Sequence, residues 1–147
     1  MTTITRHTDP TTLDDCGRQI LATVTPRTDL NDAWLEIIDG EDGDHLSDLG
    51  VELMADHGIE SRDDYSIGDY LEGQILDYRT LRSSTGEIME LHLLVGYGGP
   101  NIWQVIDESG NCETRVSWWG TIGRGDDRHE LYARIFEYMA EVIACCE

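Results

Sequence analysis

The stretch from Glu87 to Gly120 constrains the fold most, because it predicts three consecutive antiparallel strands. Residues 88–96 are apolar and strand-prone, and Tyr97 to Pro100 ends the run because proline lacks an amide donor and glycine adopts unusual dihedrals. Residues 101–107 resume the pattern, and Ser109-Gly110-Asn111 is typical of a hairpin turn before a third alternating strand. Adjacent strand residues face opposite ways, so we expect one of Trp118 and Trp119 to be exposed.

Helical periodicity surrounds this region on both sides. Asp9-Pro10 is typical of a helix start, and Asp29 is the expected N-cap of a second, short helix with an apolar stripe. After a Gly-rich loop at 121–125, Asp126 or Asp127 is expected to cap a long C-terminal helix with Leu131, Ile135, Tyr138, Met139, Val142 and Cys146 on its buried side. The other expected elements are helices at about 45–57 and 66–75 and a strand at about 76–83, although a strand could begin as early as Ile75.

These patterns predict an α+β fold with N-terminal helices and an antiparallel sheet backed by the C-terminal helix. The sheet is expected to have three or four strands at about 76–120. A chain of 147 residues is long enough for one domain with its own core. We expect an acidic helical half at about 9–75, followed by the sheet and C-terminal helix at about 76–146.

Negative charge is concentrated in one third of the chain. Residues 29–77 hold sixteen Asp and Glu and one Arg, giving −15 of the total net charge of −20. Residues 78–125, in contrast, hold five acids and four Arg. A surface of this kind repels nucleic-acid phosphates and anionic membranes and suits a basic partner.

The acids at about 45–57 recur at helical spacing. Asp48, Glu52 and Asp56 are four residues apart, so on a helix they lie on one face about 6 Å apart per step. Neighbouring phosphates of a DNA strand have a similar spacing, which suggests a phosphate-like array that a nucleic-acid-binding protein could accept. We predict that these three form the centre of a partner-binding surface, flanked by Asp32, Glu36, Asp39, Glu41, Asp42 and Asp44.

A second interpretation of the acids is adaptation. A charge run is usually a solvated face, and a halophile or an organism with a GC-rich genome gives the same bias, including the absence of lysine. Such a protein could be an interaction module that binds through Trp119 and an exposed sheet face. Adaptation should distribute acids evenly along the chain, whereas here they are concentrated, and both interpretations stay open.

Motifs for chemistry are absent from the sequence. The four cysteines have no zinc-binding spacing, and the acidic loop 41–44 lacks the ligand spacing of a calcium loop. The glycine clusters do not match a phosphate-binding loop, and no motif places a nucleophile or carboxylate beside His92. We therefore predict a non-enzymatic protein without metal or cofactor; the alternative, a small enzyme using His92, requires a pocket around this residue. The N-terminus has no apolar leader and no segment is long enough to span a bilayer, so we expect a cytoplasmic protein.

The hairpin region carries a resemblance. Gly98-Gly99-Pro100 followed by Asn101-Ile102-Trp103, and the later Trp118-Trp119-Gly120, resemble a pattern in small acidic proteins encoded by phages and other mobile elements, of the antirestriction and anti-CRISPR kind. The resemblance covers about 35 residues, and no functional residue carries over from it. It implies a mobile-element origin and inhibition of a host nuclease, which some proteins of this kind achieve by imitating DNA charge. The predicted partner is therefore a basic nucleic-acid-binding protein or nuclease complex of the host.

Overall fold

The chain folds into an antiparallel sheet with helices on one face, in a computed structural model that describes residues 2–5, 10–118 and 120–146. The sheet has six strands in the order β1-β6-β5-β4-β3-β2. The helices are α1 (Pro10–Val24), α2 (Thr28–Asp39), α3 (Asp48–Asp56), α4 (Ile67–Glu72) and α5 (Glu130–Cys145). The strands are β1 (Thr3–Thr5), β2 (Asp77–Arg82), β3 (Ile88–Gly96), β4 (Asn101–Ile106), β5 (Asn111–Trp118) and β6 (Thr121–Arg128).

The predicted α+β class is confirmed, but the sheet is larger than the expected three or four strands. Five strands of six to nine residues, β2 to β6, form its body, and the three-residue β1 pairs with β6 at one edge. The prediction of a loop at 121–125 was wrong, because these residues belong to β6, which pairs with β5 along its whole length. In the described residues, no helix is long and apolar enough to cross a membrane.

The glycines of β6 explain why a strand looked like a loop. Gly123 and Gly125 are buried, whereas Ile122 and Arg124 between them are exposed. The buried glycines face α1, and a Cβ atom at Gly125 would lie only 2.0 Å from the backbone oxygen of Val24. Glycine is therefore required where the helix and the strand approach so closely. Because glycine replaces an apolar residue there, β6 lacks the alternation of apolar and polar residues that usually predicts a strand.

The main core lies between the sheet and the helices α2, α4 and α5. Leu91 and Leu93 of β3 and Ile106 of β4 are at most 1% exposed and belong to one cluster with side chains of these helices. The predicted stripe of α2 is correct, since Trp34 and Ile37 are buried. A second, small cluster joins Ile20 and Val24 of α1 to Val116 of β5.

The predicted stripe of α5 was partly wrong. Val142 is 39% exposed and Cys146 is exposed, whereas Tyr132, Phe136 and Ile143 are buried. The buried side of α5 is wider than a single stripe because this helix packs on α2 and α4 as well as on the sheet.

Two predicted helix caps need correction. Asp29 lies in the first turn of α2, which begins at Thr28, and its carboxylate accepts a hydrogen bond from Arg27. The cap of α5 is His129, whose Nδ1 accepts a hydrogen bond from the Leu131 amide at 3.0 Å, because Asp126 and Asp127 lie within β6. The predicted cap Asp9 and residues 6–8 lie outside the described residues.

The contact between Gly125 and α1 gives a test of the fold. We expect Gly125→Ala to lower the free energy of unfolding by about 1–3 kcal/mol, because the added methyl group must displace the backbone of Val24. Urea unfolding followed by circular dichroism measures the loss.

The matched control is Gly73→Ala. Gly73 has an α-helical φ of −83° and its nearest neighbour to a new Cβ atom is 3.8 Å away, so the same substitution should change stability by less than about 0.5 kcal/mol. Equal stability of the two variants would contradict the tight packing of α1 on β6.

Candidate functional site

Helix α3 presents three carboxylates to solvent on successive turns. Asp48, Glu52 and Asp56 are all exposed. Within the part of the chain that the structure describes, none of the three side chains is engaged in a hydrogen bond or an ion pair. Four residues of helix rise by about 6 Å, so the three acids form a line about 12 Å long. The predicted centre of the surface is therefore one continuous stripe with free charges.

Both ends of α3 are firmly defined. Ser47 is the N-cap, and its Oγ accepts a hydrogen bond from the Gly50 amide at 3.1 Å. The carboxylate of Glu36 in turn accepts from the Ser47 amide at 3.0 Å and from its hydroxyl at 2.7 Å, which ties α3 to α2. Gly58 after the helix adopts a φ of +66°, the left-handed conformation that glycine favours at a helix end. The acidic stripe is thus held on a rigid element.

Two predicted partner-binding acids of α2 contact α5 instead of standing free. The Asp32 carboxylate lies 2.6 Å from Nε2 of His129, and Asp39 accepts a hydrogen bond from the Arg134 guanidinium. The partners are 97 and 95 residues apart in sequence. Both carboxylates remain partly exposed, so they hold the helices together and still contribute negative charge to the surface.

The acidic loop 41–44 has two carboxylates that accept hydrogen bonds within the fold, although both residues are exposed. Asp42 accepts hydrogen bonds from the Ser61 hydroxyl and from the Arg62 amide, the latter at 2.9 Å. Both bonds lower the pKa of the Asp42 carboxyl, and the bond from Ser61 has the larger effect. This carboxyl is therefore ionised at neutral pH. Asp44 accepts from the Glu41 amide at 3.0 Å. Asp44 therefore shapes the loop, and Asp42 ties it to residues 61–62.

Arg62 organises the acidic segment from within. This residue is 5% exposed, and its guanidinium donates to the backbone oxygens of Glu36 at 3.2 Å, Glu41 at 2.6 Å and Asp44 at 2.7 Å. It passes so close to Gly40 that a Cβ atom there would lie 2.6 Å from its Nη1. Arg62 is the only Arg or Lys in residues 29–77, so this segment has no exposed Arg or Lys side chain to offset its acids.

The structure thus divides the nine predicted residues into two groups. One group faces solvent without a side-chain hydrogen bond to the described residues, and the other is bonded within the fold. The first group is Glu41, Asp48, Glu52 and Asp56, and the second is Asp32, Glu36, Asp39, Asp42 and Asp44. A single cation among sixteen acids suggests a structural role for Arg62, but it does not indicate which of the acids are bonded, because its guanidinium binds backbone oxygens.

The other candidates offer weaker chemistry. His92 has a carboxylate beside it after all, with Nε2 lying 3.1 Å from Oε1 of Glu90, but no nucleophilic side chain among the described residues bonds to the pair. Burial raises the pKa of the Cys112 thiol to about 12, which disfavours the reactive thiolate. The described residues contain no group of three or more His, Cys, Asp or Glu that could hold a metal ion.

A shallow aromatic depression of about 450 Å³ lies at one end of the sheet. Tyr97, Gly98, Trp118 and Ile122 contribute to its wall, and Tyr97 is 77% exposed. Trp119, which we considered as a contact residue, lies outside the described residues. The depression is thus a partly apolar surface formed by residues 97–122, outside the acidic segment 29–77.

The three carbonyl contacts of Arg62 make it a sensitive position. We expect Arg62→Lys to lower the free energy of unfolding by about 2–4 kcal/mol, because an ammonium group cannot reach all three oxygens and leaves buried acceptors without a donor. Urea unfolding measures this loss.

Arg27→Lys is the matched control for that substitution. Arg27 pairs with Asp29 on the surface, with more than half of each side chain exposed, so the change should cost less than about 0.5 kcal/mol. If Arg62→Lys lowers the free energy of unfolding by a similarly small amount, the fold depends on the positive charge at this position and not on the several N–H donors of the guanidinium.

Comparison of the chain with protein-family models, with curated proteins and with solved structures finds no match.

Proposed function

We propose that the protein is a non-enzymatic inhibitor that offers its acidic helical surface to a basic, nucleic-acid-binding protein. The partner class is a host defence nuclease complex, of the kind that antirestriction and anti-CRISPR proteins block. Asp48, Glu52 and Asp56 are the centre of contact, and Glu41 extends it. The remaining predicted acids, Asp32, Glu36, Asp39, Asp42 and Asp44, add charge while they hold the surface in shape.

The observation that carries the proposal is the free stripe on α3. Like charges four residues apart cost a few tenths of a kcal/mol per pair, and here no exposed Arg or Lys of residues 29–77 relieves them. The same segment uses other acids for specific internal bonds, as at Glu36 and Asp42. Asp48 suits the first turn of α3, but Glu52 and Asp56 make no such internal bond and add repulsion along the helix, which is best explained by binding.

The geometry of the stripe suits a phosphate-binding groove. Its charges are spaced about 6 Å apart along a straight helix, which is similar to the spacing of neighbouring phosphates in a DNA strand. A groove that binds phosphates through Lys and Arg could therefore accept α3 in place of a strand. Because exposed charges are screened over about 8 Å at physiological ionic strength, binding should weaken as salt rises.

Reversal of the stripe tests this proposal. Replacing Asp48, Glu52 and Asp56 together by Arg should abolish capture of the partner, because repulsion replaces attraction at every step of the array. The measurement is a pull-down of nucleic-acid-associated proteins from host extract, with and without competing DNA, which should displace the partner from the unaltered protein.

A control variant separates position from net charge. Glu108→Arg, Glu137→Arg and Glu141→Arg change the net charge by the same amount, but these exposed acids lie on a turn and on α5. This variant should retain the partner. If the α3 variant still captures the same protein, or if DNA fails to compete, the acidic stripe is not the contact surface.

The alternative, an adapted acidic surface on an interaction module of a halophile or a high-GC organism, makes a different prediction about salt. We expect the protein to stay folded in dilute buffer, because Arg62 and the hydrogen bonds to Glu36 and Asp42 hold the acidic segment without counterions. Thermal unfolding at decreasing ionic strength measures this. A large fall of Tm in dilute buffer would favour the halophilic alternative instead.

A further inference from the structure

The face of the sheet that points away from the helices has its own charge pattern. Cys112 and Val116 of β5 belong to the clusters formed with the helices, so Glu113 and Arg115 between them point to the opposite face. No helix of the described chain packs on that opposite face, which we call the open face. Its central residues are Asp77, Arg79, His92, Leu94, Trp103, Val105, Glu113, Arg115, Arg124 and Asp126.

Strand register arranges these ten residues in two parallel rows. Direct cross-strand partners, taken from β2 to β6, make a first row of Asp77, Leu94, Trp103, Arg115 and Arg124. The neighbouring positions make a second row of Arg79, His92, Val105, Glu113 and Asp126.

Each charge in one row has the opposite charge beside it in the other row. Asp77 faces Arg79 along β2, Arg115 faces Glu113 along β5, and Arg124 faces Asp126 along β6. The two rows together therefore carry no net charge, although the whole chain carries −20.

The middle of the open face holds two apolar side chains, Trp103 and Val105, which neighbouring side chains largely cover. Val105 is only 7% exposed, and it lines a depression of about 320 Å³ together with Glu113 and Arg115. Trp103 beside it is partly buried, and the Arg79 guanidinium lies 4.8 Å from the centre of its ring. Charged side chains therefore reach the centre of the open face as well as its edges.

We propose that the open face binds the open face of a second copy of this chain. A two-fold axis that crosses the strands between the two rows places the first row of one copy over the second row of the other. Arg115 then meets Glu113 of the second copy, and Arg124 meets its Asp126. The same operation brings Trp103 onto Val105 and Leu94 onto His92 of the second copy.

Repulsion inside one chain supports this pairing. Arg115 and Arg124 are direct cross-strand partners, as are Glu113 and Asp126, and like charges in that relation destabilise a sheet. The ion pair between Arg115 and Glu113 relieves part of the repulsion within the chain. A second copy supplies opposite charge above each row and relieves more of it.

Charge favours this face over the others. Two copies that each carry −20 repel at most approaches, and the open face is neutral in its two central rows. Five strands spaced about 4.8 Å apart, with lengths near 20 Å, give a flat area on the order of 500 Å². The accessible surface is larger, because side chains project from this plane. A standard interface buries about 800 Å² of accessible surface per partner, which such a face can approach.

Sedimentation equilibrium of the full chain at physiological ionic strength tests the proposal. We expect a monomer–dimer equilibrium for the unaltered protein. Arg115→Glu should raise the dissociation constant at least roughly tenfold, because the two-fold axis places the new carboxylate over Glu113 of the second copy at two positions. Adding Glu113→Arg to the same chain exchanges the charges and should restore dimerisation.

Variants at a second charge pair repeat the test away from Arg115 and Glu113. Arg124→Glu should weaken the dimer, and the addition of Asp126→Arg should restore it. Arg27→Glu, which makes the same charge change on an exposed residue between α1 and α2, should leave the dissociation constant unchanged. A protein that stays monomeric at all concentrations overturns the proposal, and so does a dimer that none of the charge reversals weakens.

Discussion

The guanidinium of Arg62 is the interaction on which the acidic half depends. It is the only Arg or Lys in a segment of sixteen acids, and it is buried against backbone oxygens of Glu36, Glu41 and Asp44. A guanidinium can donate in several directions from one plane, so a single side chain can end α2 and close the following loop. Because Arg62 binds carbonyls and not carboxylates, it organises the segment without neutralising any single acid of the surface.

The acids themselves are divided between structure and surface. Asp32 and Asp39 join α2 to α5, and Glu36 fixes the start of α3 through Ser47. These bonds place α3 so that its outer stripe points to solvent. The charges available for a partner are therefore held in position by other charges of the same segment, and the surface that we propose for binding requires little ordering when a partner arrives.

Periodicity was sufficient to predict most of the helices, the hairpin strands and the exposed stripe of α3, since each depends on neighbours within a few residues. It was insufficient for β6, where glycine stands at position 125 because α1 lies too close for a side chain. It also did not separate free acids from bonded ones. The partners of Asp32 and Asp39 lie more than ninety residues away in the sequence. Contacts between residues so far apart in sequence produce no local pattern from which they could be predicted.

The two proposed surfaces belong to different parts of the fold, the helices and the sheet. The helical layer carries the acidic stripe, whereas the open face of the sheet carries balanced rows of charge around Trp103 and Val105. Pairing through the open faces leaves both helical layers on the outside of the dimer, so neither surface has to be covered for the other to be used. A dimer then presents two acidic stripes in one particle. When a partner with two basic grooves has bound one stripe, the effective concentration of the other stripe at the second groove is raised.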